Sequence, residues 1–163
     1  MKKTVLAFAA FLALQTGAAL AAPVNDLSRG QTAVGLSSDT FYLEHQVSNS
    51  FTLGLQNVNW NNSGSMDDIY GQFKLDNNLR GIIGNRDLSA KSELYLGLAV
   101  NGPLAPEWKG HASFVAGSEF KEMQAGASYA LTHNVDLNLN YHSFMPDSGR
   151  NRNGADFGAT FKF

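Results

Sequence analysis

Three features of the 163-residue sequence predict an all-β chain closed into an antiparallel up-and-down transmembrane β-barrel, with ten strands preferred and eight the alternative. From Gly30 onward, short segments alternate apolar and polar residues. That is the period of a strand with one oily and one wet face, and helical three-to-four-residue spacing hardly occurs. The chain opens on a secretion-type leader. The connections between segments alternate between tight turns and longer loops, as expected of strands that cross a membrane and return.

The leader comes first. Met1-Lys2-Lys3 supplies positive charge, residues 4–14 are an almost unbroken apolar run, and Ala19-Leu20-Ala21 is a small-x-small site before Ala22-Pro23. The run is shorter than the roughly 20 residues a spanning helix needs. Residues 1–21 therefore read as a signal peptide cut after Ala21, and residues 22–163 as one barrel domain. Without Lys2 and Lys3 the chain is more acidic than the formal −2 of the whole sequence. No basic patch interleaved with aromatic residues occurs, which argues against nucleic acid. The lack of cysteine excludes disulfides, a thiol nucleophile and Cys-ligated zinc. Charged residues make up 16% of the chain, below the usual quarter, which suits a surface bathed in lipid. Beyond the leader no stretch approaches the length of a transmembrane helix, so a membrane form must be a closed barrel, because lipid offers open strand edges no partner.

The strands follow in order. Weaker alternation covers 31–38, 40–48 and 51–60. In the last of these the apolar parity switches from Phe51, Leu53 and Leu55 to Val58 and Trp60, so a bulge is expected near Gln56-Asn57. In 68–75, Ile69, Gly71, Phe73 and Leu75 oppose Asp68, Tyr70, Gln72 and Lys74. After a weak strand at 79–85, Leu94, Leu96, Leu98 and Val100 oppose Glu93, Tyr95, Gly97 and Asn101. Another weak strand spans 108–117, and a clear one spans 123–132. The clearest is 135–143, where Val135, Leu137, Leu139 and Tyr141 share one face and Asp136, Asn138, Asn140 and His142 the other. The tenth spans 155–163. Such lengths suit tilted membrane strands of roughly 9–11 residues.

With the first strand running outward, tight turns at 48–50, 76–78 and 132–134 fall on the periplasmic side, and longer loops at 61–67, 85–91 and 145–154 fall outside. The connection at Ser38-Asp39 is short for an outer loop, and 102–106 is long for an inner turn. Eight strands result if 31–48 is a loop or plug. The same threading brings Phe41, Trp60 and Tyr141 to the outer rim and Trp108, Tyr129, Phe161 and Phe163 to the inner rim, the two aromatic belts of a bilayer barrel.

Alternation alone leaves the wet face open, since a soluble barrel also alternates with its apolar side inward. The membrane reading sends Glu44, Gln46, Asp68, Gln72, Lys74, Arg80, Glu93, Lys109, His111, Gln124, Asp136, Asn138, Asn140, His142, Asp156 and Lys162 into the lumen. A narrow barrel is filled by its own side chains, so paired charges and amides are expected across the interior rather than a wide pore.

The last strand, with Phe157, Phe161 and terminal Phe163 on one face, resembles the terminal assembly signal of bacterial outer-membrane β-barrels. That resemblance implies recognition by the barrel assembly machinery and residence in the outer membrane of a diderm bacterium after signal-peptide export. Gln124-Ala125-Gly126-Ala127-Ser128-Tyr129, the strand from Val135 to Tyr141 and the loop Pro146-Asp147-Ser148-Gly149-Arg150-Asn151, with Gly54-Leu55 and Asn59-Trp60 as a weaker point, resemble YfaZ-type outer-membrane proteins. That family implies a small barrel and brings no catalytic residues.

Candidate chemistry is sparse. His142-Ser143 suggests a hydrolase, but strand neighbours point to opposite faces, whereas a nucleophile and its base must lie within hydrogen-bond reach. Asp67-Asp68, with Asp39 nearby, makes a poor calcium site without further ligands. His45, His111, His133 and His142 lack zinc spacing, and no phosphate loop is present. Arg150 and Arg152, in an outer loop, are suited to the phosphates of lipopolysaccharide. The sequence thus predicts a non-catalytic, cofactor-free outer-membrane barrel with a structural or surface-interaction role, in contact with outer-membrane lipid. A narrow channel for small solutes is the alternative, and a soluble periplasmic ligand-binding barrel comes third.

Overall fold

A computed structural model describes residues 22–38, 40–60, 64–87 and 91–163, the side chains of Asn59, Trp60 and Gly64 excepted. The ten strands are β1 (Thr32–Ser37), β2 (Thr40–Gln46), β3 (Phe51–Trp60), β4 (Gly64–Lys74), β5 (Leu79–Asp87), β6 (Ser92–Ala105), β7 (Trp108–Gly117), β8 (Phe120–Thr132), β9 (Val135–Pro146) and β10 (Arg152–Lys162). Each pairs antiparallel with its sequence neighbours, and β1 pairs with β10 to close the barrel. Two backbone bonds beyond that ladder, Thr32 N–H to the Phe163 carbonyl at 2.8 Å and Phe163 N–H to the Thr32 carbonyl at 3.0 Å, tie the seam at the end where the chain stops. Among the described residues no sheet edge is left for lipid to meet.

The pleat sorts the side chains as a bilayer requires. Leu94, Leu96, Leu98 and Val100 of β6 and Phe157 and Phe161 of β10 stand on the outside, while Glu44, Asp68, Arg80, Glu122, His142 and Asp156 are buried within. Phe157, with 63% of its surface exposed, and Asp156, with 4%, are chain neighbours on opposite sides of one wall. The oily side faces outward, so the molecule is a transmembrane β-barrel.

Several local expectations are corrected. Residues 31–48 hold the hairpin of β1 and β2, so the preferred ten strands stand and the eight-strand alternative falls. The bulge at Gln56-Asn57 is not formed: the β3–β4 register runs unbroken from Phe51 opposite Phe73 to Trp60 opposite Gly64. Val58 keeps the inward parity of Thr52, Gly54 and Gln56 and lies buried in the lumen. An apolar residue can be seated inside, and the parity argument took apolar to mean outward. The register shifts lie instead at Pro103/Ala105 and at Ala130/Thr132. Residues 102–105 extend β6, and the chain turns at Glu107, whose φ is +60°.

The contrast between long outer loops and short inner turns also weakens. β3 reaches Trp60 and β4 resumes at Gly64, β5 runs to Asp87, and β9 ends at Pro146 with β10 starting at Arg152. Stretches read as loop are mostly strand, because polar and glycine-rich residues pair as well as apolar ones when the neighbouring strand supplies the partners. Residues 61–63 and 88–90, within two of the predicted loops, and Asp39 lie outside the described residues, as do residues 1–21, predicted to be a leader.

Candidate functional site: a plugged polar lumen

The lumen is occupied by the segment of the chain that precedes β1. Residues 22–31 form no strand, and Ala22, Asn25 and Leu27 are buried. Polar and charged groups of the wall grip the segment. The Asn25 amide donates to Glu44 Oε2 at 2.6 Å. Arg80 Nη1 donates to the Asn25 carbonyl at 2.6 Å, and Gln72 Nε2 to the Pro23 carbonyl at 2.5 Å. At the mouth, Asp26 lies 3.1 Å from Lys109 Nζ, 3.8 Å from Arg80 and 4.0 Å from Lys74. Burial alone would push the Asp26 carboxyl up, but the hydrogen bond and charge of Lys109, with Lys74 and Arg80, more than offset it and hold it below the usual value. Glu44, on which the grip converges, also accepts from Tyr70 and Gln72, each at 3.0 Å.

Deeper in, a strut crosses the interior. Arg86 of β5 donates to Asp68 Oδ2 of β4 from Nε at 3.2 Å and from Nη2 at 2.9 Å, and from Nη1 to Glu122 Oε2 of β8 at 2.5 Å. None of the three side chains has any exposed surface. The guanidinium centre sits 5.2 Å from the Tyr95 ring centroid and 4.8 Å from that of Phe120, the stacking a weakly hydrated planar cation favours. Tyr95 donates in turn to Asp68 Oδ1 at 2.8 Å. Phe120 stacks on Phe144, with 5.5 Å between ring centroids.

Lumenal tyrosines are seated on glycines of the adjoining strands. Gly54 is opposite Tyr70, Tyr70 opposite Gly84, and Gly84 opposite Tyr95. A Cβ on Gly54 would lie 2.2 Å from Tyr70 Cζ, and one on Gly84 2.2 Å from Tyr95 Cζ. Gly35 lies likewise beneath the Tyr42 ring. Each glycine vacates the space in which the ring lies flat on the inner wall.

On the β7–β10 side, Asn140 Nδ2 donates to Asp156 Oδ1 at 2.9 Å, Asn138 Nδ2 to Thr160 Oγ1 at 2.6 Å, and Lys162 pairs with Asp136 at 2.5 Å. Between this wall and Pro23–Asn25 lies a cavity of about 30 Å³, lined in part by His111, Gln124, Asn140 and Asp156. That is room for on the order of two waters, too little for a solute.

The predicted lumenal set is thus largely brought together. Glu44, Asp68, Arg80, Glu93, Asp136, Asn138, His142 and Asp156 are buried, and His111 and Asn140 are half-buried. Lys74 and Lys109 face the mouth and hold Asp26. Glu93 ties down the β7–β8 turn by accepting from Ser118 Oγ at 2.6 Å and Glu119 N–H at 2.5 Å. Arg150 and Arg152 are exposed at the β9–β10 connection. His142 points inward, whereas Ser143 hydrogen-bonds Asn153 at 2.7 Å, so the wall separates that pair. Asp67 bonds Asn57 and is exposed, whereas Asp68 faces Arg86, so these carboxylates also point apart. Among the described residues no three of His, Cys, Asp or Glu cluster as metal ligands would.

Fold and interior together define a ten-stranded transmembrane β-barrel with a polar, self-filled lumen. No family model matches the chain, and no curated protein matches it. Among solved structures it is similar to a NanC porin at 9% identity, over 82% of this chain and 99% of that one, with a TM-score of 0.47. It is also similar to the N-terminal β-barrel domain of Pseudomonas aeruginosa OprF, at 12% identity over 83% and 98%, TM-score 0.44. A third likeness is to a de novo designed transmembrane β-barrel, at 14% identity over 85% and 100%, TM-score 0.42.

Proposed function

We propose that the protein is a non-catalytic outer-membrane barrel with a structural or surface-interaction role, its lumen kept shut by its own N-terminal segment. The observation that carries this reading is the occupied interior. Residues 22–27 are gripped by Glu44, Gln72 and Arg80 at one level, and the Arg86 strut bridges the walls at the next. The plug fills the first level, and the cavity beside Pro23–Asn25 has room for only about two waters. The leader pattern of residues 1–21, the outward row of Phe157, Phe161 and Phe163 and the YfaZ-like strands support export, delivery by the barrel assembly machinery and residence in the outer membrane. The test is conductance in planar bilayers. The purified barrel gives no steady current, and long-lived openings in the unaltered protein would instead establish a narrow channel.

Surface interaction is assigned to the β9–β10 connection, where Arg150 and Arg152 are exposed. Two planar cations at the outer rim suit the phosphates of lipopolysaccharide. Reversing both charges weakens lipopolysaccharide binding, and unchanged binding removes this partner.

A further inference from the structure

The grip on the leading segment has a direction. Along β4 the inward residues run Lys74, Gln72, Tyr70, Asp68 from the mouth inward, alternate positions roughly 6–7 Å apart. The plug climbs the same ladder in reverse chain order. Asp26 is at Lys74, the Pro23 carbonyl is at Gln72, and Ala22, with none of its surface exposed, belongs to the apolar cluster containing Tyr70, Tyr95 and Phe120. The next rung is Asp68, in the layer where Arg86 holds two carboxylates.

That layer carries an imbalance. Asp68 and Glu122 contribute two negative charges and Arg86 one positive, all without exposed surface. Glu122 Oε1 is buried and has no hydrogen-bond partner among the described residues, although Oε2 bonds Arg86. A buried carboxylate oxygen with neither partner nor solvent is costly, and so is one uncompensated charge in a closed interior.

The geometry points to an internal cation site, filled by the α-ammonium that signal cleavage would create at Ala22: the lumen binds the processed N-terminus of its own chain, which serves as counter-ion to Glu122 and Asp68. The inference rests on the reading of residues 1–21 as an export leader. In the cleavage step, water adds across the Ala21–Ala22 amide. The hydroxyl goes to the Ala21 carbonyl carbon, the C–N bond breaks, and the Ala22 nitrogen takes the proton, catalysed by a membrane endopeptidase that cuts after small-x-small sites. The freed amine, with an ordinary pKa near 8, is cationic at neutral pH. Processing thereby both releases the plug and supplies the positive charge the interior lacks, so proper closure of the lumen follows cleavage.

The test uses the full protein extracted from membranes in mild detergent, with the shifted gel mobility of unboiled sample as proof of a folded barrel. Intact mass identifies the first residue, and brief reductive methylation with formaldehyde is then quantified amine by amine. In the folded barrel the Ala22 amine reacts at least tenfold more slowly than Lys91, although its lower pKa would make a free α-amine the faster of the two. In Glu122→Gln the Ala22 amine reacts several-fold faster than in the unaltered protein, because its counter-charge is gone. An Ala22 amine as reactive as Lys91 in the folded barrel, equal rates with and without Glu122→Gln, or a first residue other than Ala22 overturns the assignment. Any of these in a protein that still shows the mobility shift and sediments with outer membranes leaves the barrel reading standing. Loss of both would sink that reading instead.

Discussion

Replacing Arg86 with methionine tests whether the interior is held by charge or merely tolerates it. Methionine keeps most of the side-chain length and deletes the guanidinium. Three hydrogen bonds and the stacking on Tyr95 and Phe120 disappear together. Both carboxylates then stay in an interior from which they have no exposed surface. Breaking a buried ion pair from one side costs about 3–5 kcal/mol, because the orphaned charge remains desolvated. With a urea slope of roughly 2 kcal/mol per molar, a loss of about 4 kcal/mol lowers the midpoint by about 2 M. The assay is urea unfolding of the barrel in lipid vesicles, followed by the emission of the lipid-facing Trp108. Adding Glu122→Gln removes one of the two stranded charges and returns about half of the loss. A midpoint within about 0.3 M of the unaltered protein, or no recovery in the double variant, would refute the view that this strut is a desolvated pair.

Three further outcomes are expected. Deleting residues 22–28 removes every contact of the plug with Glu44, Gln72, Arg80 and Lys109, so steady conductance appears in planar bilayers where the unaltered protein gives none. Gly84→Ala forces a Cβ to within 2.2 Å of the Tyr95 ring and destabilises the barrel by about 1–3 kcal/mol, whereas Gly81→Ala, whose Cβ would meet its nearest neighbour, the Leu75 side chain, at 3.6 Å, changes the urea midpoint little. Because Asp26 has a depressed folded pKa, its anchoring of the plug is fully present above its ordinary value of 3.8 and is lost as pH falls through the folded value. Protease protection of residues 22–28 therefore declines in acid below about pH 4 and becomes insensitive to acid in Asp26→Asn.

Period-two alternation made the walls legible. It placed Glu44, Asp68, Arg80, His142 and Asp156 on polar strand faces, and the membrane reading turned those faces toward the lumen, where they lie buried. It could not place the strand ends. Arg86 lay one residue past the assumed end of its strand, and Glu122 one before the assumed start of another, so the two residues that span the lumen were absent from the expected set. Extending each strand by its own parity would have pointed both inward. Tyr70 and Tyr95 stood on the correct face, but their role depends on glycines in adjoining strands, and cross-strand register is invisible in one sequence. The plug was missed for a different reason. A segment that fills a lumen follows the shape of the cavity, not a periodic surface, so Pro23–Ser28 carries no repeat to detect. The signal that did exist was a short mixed run between the leader and the first alternating residue, too long for a simple connection.

The tyrosines lying over glycines have a consequence for how such a barrel can diverge. Gly54, Tyr70, Gly84 and Tyr95 form a row across four strands in which every large residue occupies room its small neighbour gives up. Enlarging one glycine evicts a ring, and shrinking one ring opens a void beside two glycines. Substitutions along this row are therefore tolerated in compensating pairs. Relatives that keep the lumen filled should exchange bulk between adjoining strands, and tyrosine and glycine should trade places across a rung instead of varying independently.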